Sequence, residues 1–232
     1  MEEFKLDELQ QSIGLQFNDK DLLLKALTHR SYLNENTSWH LDHNERLEFL
    51  GDAVLELVVT EYLYGNYPNP EGELTNWRAA LVNSVMLANI AKKFNLNDYL
   101  LLSKGEAKDE GRARQYILAN AVEALIGAIH LDSGYEAVRK FITTFILDEL
   151  ELILKDKKYR DHKSLFQEES QEREGVTPNY EVLEEWGPDH DKNFKVGAYL
   201  ERTLIAEGEG HSKQEAQQEA ARNALIVKGW DE

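Results

Sequence analysis

The chain has 232 residues, no cysteine and a formal net charge of −17. That length suits one large domain or two modest ones, and the absence of cysteine excludes a disulfide framework and any thiolate metal site. The excess of acid argues against a nucleic-acid partner, because phosphate binding is driven by Lys and Arg. The N-terminal MEEFKLDELQQSIG has neither an apolar run nor a basic leader, and no stretch is apolar for long enough to span a bilayer. The expected location is therefore the cytoplasm, with no membrane partner.

The first two thirds of the chain read as helix after helix. DLLLKALTHRSYL (21–33), ERLEFLGDAVLELVVTEYLY (45–64), ELTNWRAALVNSVMLANIAKKF (73–94), QYILANAVEALIGAIHLD (115–132) and YEAVRKFITTFILDELELIL (135–154) all place apolar residues at helical spacing. Breaks fall at Asn, Gly and Pro clusters such as YGNYPNPEG and LDSG. KDKKYRDHKS (155–164) is polar and charged and marks a linker. Beyond it the pattern changes: SLFQEESQEREG reads as a short helix, and NYEVLEEWG, NFKVGAYLE and RTLIAEGEG read as three strands. SKQEAQQEAARNALIVKG closes as a helix capped by Ser212. The expected organisation is an all-α domain over 1–154, a linker over 155–161 and a small α-β-β-β-α domain over 162–232.

Two of these helices carry acids where apolar residues dominate. At about 100° per residue, Glu45, Glu48 and Asp52 fall within about 60° of one another and form one stripe. Asn120 and Glu123 make a shorter stripe on Ile117–Asp132, a helix that is just as apolar. Neighbouring buried carboxylates repel one another and resist desolvation. They can pair with Arg or Lys, take up protons, or bind a cation, and a solvated charged face is the plain alternative. If a cation is the answer, oxygen ligands without cysteine suit Mg²⁺, with Mn²⁺ able to take its place.

NERLEFLGDAVL (44–55) closely resembles the signature of the ribonuclease III family. The resemblance extends, in the family's order, through ALTHRSY (26–32), EGELTNWRAALVN (71–83), SKGE (103–106) and ILANAVEALIGAIHLDSG (117–134). The C-terminal domain resembles a double-stranded-RNA-binding domain. The resemblance implies an all-α endonuclease domain of the ribonuclease III fold, working as a homodimer that cuts double-stranded RNA with Mg²⁺ and without any organic cofactor. Cleavage would leave 5′-phosphate and 3′-hydroxyl ends with short 3′ overhangs, and the substrates would include rRNA precursors and other structured RNAs. By motif position, Glu48, Asp52, Asn120 and Glu123 line the metal site, with Asp52, Glu123 and the outer acid Glu45 in catalytic roles. Phe49 would insert into the partner subunit, although a plain core phenylalanine is an equally good reading of that residue. His29 and Arg30 read as structural or interface residues. For the RNA-binding domain, the matching residues are Ser164, Gln167, Glu168 and Gln171 on its first helix, His190 in the loop GPDHDK, and Lys213 at the start of its last helix. Such a domain reads A-form shape rather than sequence.

Two features depart from the family. Where the family usually has ILAD, this chain has ILAN, ending in Asn120, and Tyr116 stands where a small Ser is common. Asn keeps a carbonyl oxygen but brings no charge to a hard cation. Either Glu48, Asp52 and Glu123 suffice, with Asn120 acting through a water, or the chain binds duplex RNA with an impaired catalytic site. The RNA-binding domain is also acidic: residues 161–232 hold 8 Lys+Arg against 17 Asp+Glu, a balance of −9, and Gln214 replaces the second of a usual Lys pair. Weak, salt-sensitive binding is therefore expected, with Lys155, Lys157, Lys158, Arg160 and Lys163 around the linker available to compensate.

Overall fold

The computed structural model describes residues 3–108, 111–156, 162–188 and 192–230. The chain divides into two units, Met1–Tyr159 and Arg160–Glu232. The first is helical: α1 (Glu3–Ile13), α2 (Lys20–Leu27), α3 (Arg30–Glu35), α4 (Glu45–Asn66), α5 (Glu71–Val82), α6 (Ser84–Lys93), α7 (Arg112–Phe145) and α8 (Leu150–Asp156). No helix among the described residues is long and apolar enough to cross a membrane.

Two runs that read as single helices are each broken by a cap. Thr28 is extended and separates α2 from α3; the His29 side chain then caps α3 by accepting from the Ser31 N–H. The break is fixed from outside by a short bridge, in which the His29 N–H donates to the Leu101 carbonyl and the Leu101 N–H to that of Leu27. In the same way Asn83 ends α5 and caps α6, accepting from the Met86 N–H at 2.9 Å. A polar residue inside an apolar period can be tolerated or can cap a new helix, and periodicity alone does not say which.

Helix α7 is kinked at Gly134, whose backbone (φ 80°, ψ −175°) only glycine adopts readily. Just before the kink, the Asp132 carboxylate accepts from the backbone N–H groups of Asn18 (3.1 Å) and Asp19 (2.7 Å) and from the Asn18 amide and the Ser133 hydroxyl. Slight burial works to raise the pKa of Asp132. The Asp19 N–H, Ser133 and Asn18 outweigh it and hold the carboxyl below its ordinary value. Asp132→Ala is expected to cost about 1–2 kcal/mol in a urea titration at neutral pH. A lowered pKa gives stability that is lost as pH falls through it. The gap between variant and wild type should therefore close in acid, and a gap that persists there would assign the loss to something other than the carboxylate.

At the centre of the unit, α4 crosses α7 backbone to backbone. A Cβ on Gly51 would lie 1.7 Å from the Glu123 carbonyl oxygen, and one on Gly127 would lie 2.3 Å from that of Leu47. Leu47, Val54 and Leu55 of α4 and Val122, Leu125 and Ile126 of α7 are buried around the crossing. Helix α8 closes the helical unit. It runs to Asp156, because Leu150 and Ile153 are buried in the helical core. Of the expected linker, residues 157–161 lie outside the described residues.

The second unit has the expected order: α9 (His162–Glu174), β1 (Pro178–Trp186), β2 (Asn193–Leu200), β3 (Thr203–Gly210) and α10 (Lys213–Lys228). The sheet is antiparallel in the order β1-β2-β3, with Tyr180 opposite Ala198 and Val196 opposite Gly208. Its own core gathers Phe166, Val196, Ala198, Leu200, Leu225 and the alanines of α10. Those alanines let α10 lie close on β3, where a Cβ on Gly208 would be 2.1 Å from the Ala220 nitrogen. Ser212 caps α10 as expected, accepting from the Glu215 N–H, while Glu215 reaches back to accept from the His211 N–H.

Candidate functional site

The Gly51–Gly127 crossing brings the two polar stripes together. Burial, then Asp52 and Glu48, push the Glu123 carboxyl up to about 7. Burial, then Glu45 and Asp52, raise Glu48 as well. Glu48 and Glu123 are half-buried and Asp52 is exposed. The stripe on α4 and the stripe on α7 therefore face one another across the Gly51–Gly127 crossing. Asn120 lies one turn before Glu123 on α7, also half-buried, and Tyr116 lies a further turn back, exposed.

Glu45 differs from the other acids. It is met by Arg30 at 3.3 Å and by His43 at 3.7 Å. Among the described residues no ion pair joins Glu48, Asp52 or Glu123 to a basic side chain, so these three remain uncompensated. Nor do three His, Asp or Glu side chains among the described residues already converge at ligand spacing. The two findings are compatible, because like charges push side chains apart until a cation draws them in. Three half-buried or rim carboxylates plus an amide oxygen fit a hard divalent ion of the Mg²⁺ or Mn²⁺ type.

The α4 surface corrects one expectation. The positions flanking the acidic stripe are not all interior, because Phe49 is 82% exposed and Ala53 is exposed too. Phe49 is thus not a core phenylalanine. It begins an apolar ridge continued by exposed Leu57 and Tyr64, at positions that return to one side of the helix. Leu57, Tyr64 and the crossing glycines were not singled out from sequence. The glycines had a signal, a single Gly in the middle of each of two apolar helices.

On the second unit, Ser164, Gln167, Glu168 and Gln171 are all exposed at the spacing of one face of α9. Lys213 opens α10 and is exposed, its ammonium 5.4 Å from the centre of the Phe194 ring. His190 lies outside the described residues. An open cleft near the start of α10 is lined by Asn193, His211, Ser212 and Gln214 among others.

Residues 19–150 match the family model described as ribonuclease-III-like, and residues 162–227 match the double-stranded RNA binding motif. The chain is 46% identical over 219 residues to "Ribonuclease 3" of Natranaerobius thermophilus, covering 94% of each. It is 48% identical over 206 residues to "Ribonuclease 3" of Moorella thermoacetica, covering 87% of this chain and 86% of the other. Among solved structures, a nuclease domain of ribonuclease III from Campylobacter jejuni aligns with TM-score 0.56 and 44% identity, over 62% of this chain and 96% of that one.

Proposed function

Since the chain belongs to the ribonuclease III family, we propose that this endoribonuclease hydrolyses double-stranded RNA at the α4–α7 site with Mg²⁺, for which Mn²⁺ can substitute. The products are 5′-phosphate and 3′-hydroxyl ends with short 3′ overhangs, and the substrates are rRNA precursors and other structured RNAs in the cytoplasm. One observation carries the reading: a backbone-to-backbone helix crossing sets three carboxylates without a basic partner on facing sides of α4 and α7, and the Glu123 carboxyl among them is pushed up to about 7. A fold that sought only stability would pair or remove them.

Glu48, Asp52 and Glu123 would hold the cation, with the Asn120 carbonyl oxygen acting through a water. When bound, the ion offsets the charge of the scissile phosphate and lowers the pKa of its water. Asp52 and Glu123 would orient the attacking water by accepting its hydrogen bonds. Glu45, steadied by Arg30 and His43, forms the outer acid of the site. The exposed ridge led by Phe49 supports a homodimer in which Phe49 enters the partner subunit; a monomer in sedimentation at micromolar protein would overturn that part.

Incubation with a long RNA duplex and Mg²⁺ tests the whole reading, and no cleavage at any protein concentration would overturn it. The rival, a duplex-RNA-binding protein with an impaired catalytic site, is favoured by Asn120 alone. Asn120→Asp separates the two. It adds a fourth acid beside Glu123 and is expected to raise Mn²⁺ affinity in calorimetry by about tenfold or more. Cleavage at limiting Mg²⁺ should rise with it, whereas unchanged metal affinity would refute the assigned place of Asn120.

A further inference from the structure

Three side chains from separate segments meet at the end of the second unit's sheet. Glu185 lies near the end of β1, opposite Phe194 in the register, and its carboxylate is shared. One oxygen is 3.0 Å from the Lys213 ammonium, and the other is 3.1 Å from that of Lys192, just before β2. The two lysines, first Lys213 and then Lys192, hold the Glu185 carboxyl below its ordinary value. All three side chains are partly exposed, at 35% for Glu185, 39% for Lys192 and 56% for Lys213. Such surface pairs add little stability, so fold maintenance does not account for the arrangement.

The geometry matches a different partner. Two ammonium groups, one on each oxygen of a single anion, are what a phosphodiester with two free oxygens also accepts. Along the chain, Lys213 is followed by the neutral Gln214. In space, the β1–β2 hairpin supplies the second cation that the helix lacks. We propose that Lys192 and Lys213 form a clamp for one backbone phosphate of duplex RNA, and that Glu185 occupies the place of that phosphate until RNA displaces it. The clamp rests on the reading of this unit as a duplex-RNA binder. Glu185 cancels one of the two charges in the free protein and stays beside the phosphate in the complex, so it sets an upper limit on affinity.

The test is an anisotropy titration of the full chain with a short RNA duplex, without divalent cation and across a series of salt concentrations. Glu185→Gln is expected to bind about three- to fivefold tighter than wild type, the size of one freed surface ion pair. Its salt dependence should also be steeper, because the clamp then meets the phosphate with two uncancelled charges instead of one. Lys192→Met should bind more weakly, with a shallower slope. Glu184→Gln removes the same charge from the neighbouring residue, which faces the other side of the sheet, and should leave affinity near wild type. Wild-type binding with no gain in Glu185→Gln, an equal gain in Glu184→Gln, or no loss in Lys192→Met would overturn the clamp alone. If the wild type shows no preference for duplex over single strand, the RNA-binding reading falls and the clamp with it.

Discussion

Glu123→Gln is expected to lower cleavage of duplex RNA by on the order of a thousandfold or more while leaving duplex binding unchanged. The substitution keeps shape and hydrogen-bonding length and removes only the charge that would face the cation. Binding is read without divalent cation, where the proposed RNA-contacting residues lie on the second unit and are untouched. The same variant carries a second signature in stability. The Glu123 carboxyl titrates at about 7 in the fold against an ordinary value of 4.5. Its raised pKa means that the metal-free protein is most stable with the proton on, and that this contribution is lost as pH rises from about 4.5 through about 7. Metal-free wild type should therefore melt lower at ~pH 8 than at ~pH 6, and Glu123→Gln should melt higher than wild type at ~pH 8. Mg²⁺ should stabilise wild type most at the higher pH and the variant little. A variant that still cuts at the wild-type rate would remove Glu123 from the site.

Gly51→Ala is expected to be the most damaging single-methyl change in the helical unit. On an isolated helix, alanine is better than glycine by about 1 kcal/mol. Here its methyl would sit 1.7 Å from the Glu123 carbonyl oxygen, a backbone atom that cannot rotate away. The two helices must separate, and overpacking of this kind costs about 3 kcal/mol or more. That is a large share of a typical folding free energy of about 5–15 kcal/mol. Separation also moves Glu48 and Asp52 away from Glu123, so cleavage should fall further than the folded fraction measured by urea titration. Gly127→Ala should behave alike, since its methyl would meet the Leu47 carbonyl oxygen at 2.3 Å. Wild-type stability in both variants would mean that side chains, not backbones, set the distance between the acids.

Much of this was legible in the sequence because the signals were local. Ser212 announced the start of α10, and the residue pattern announced the three strands. The acids stood out because carboxylates on apolar helices are costly. Less legible were features that depend on what lies across the fold. His29 and Asn83 break two apparently continuous helices, and His29 does so only because Leu101 lies beside it to take up the backbone. The exposure of Phe49 could not be read from its apolar neighbours, since helical spacing marks a side without saying what covers it. The convergence of Glu185, Lys192 and Lys213 was invisible because sheet register and helix position set it together.

His29 shows how a local structural duty removes a residue from the chemistry. Its Nδ1 takes the Ser31 N–H at 3.3 Å and sits 2.8 Å from the Ser31 hydroxyl, whose oxygen in turn accepts from the Ser103 N–H. Two donors on one nitrogen leave the ring proton to Nε2 and make the lone pair of Nδ1 the end of a relay from the loop at Ser103 to the first turn of α3. Burial lowers the pKa of His29, against the pull of Glu106 and Glu45, which keeps the ring neutral further into acid. An imidazolium would have no lone pair to offer that turn. His29 is thus committed to the backbone as an acceptor, and its part in the molecule is to fix the start of α3 rather than to carry protons.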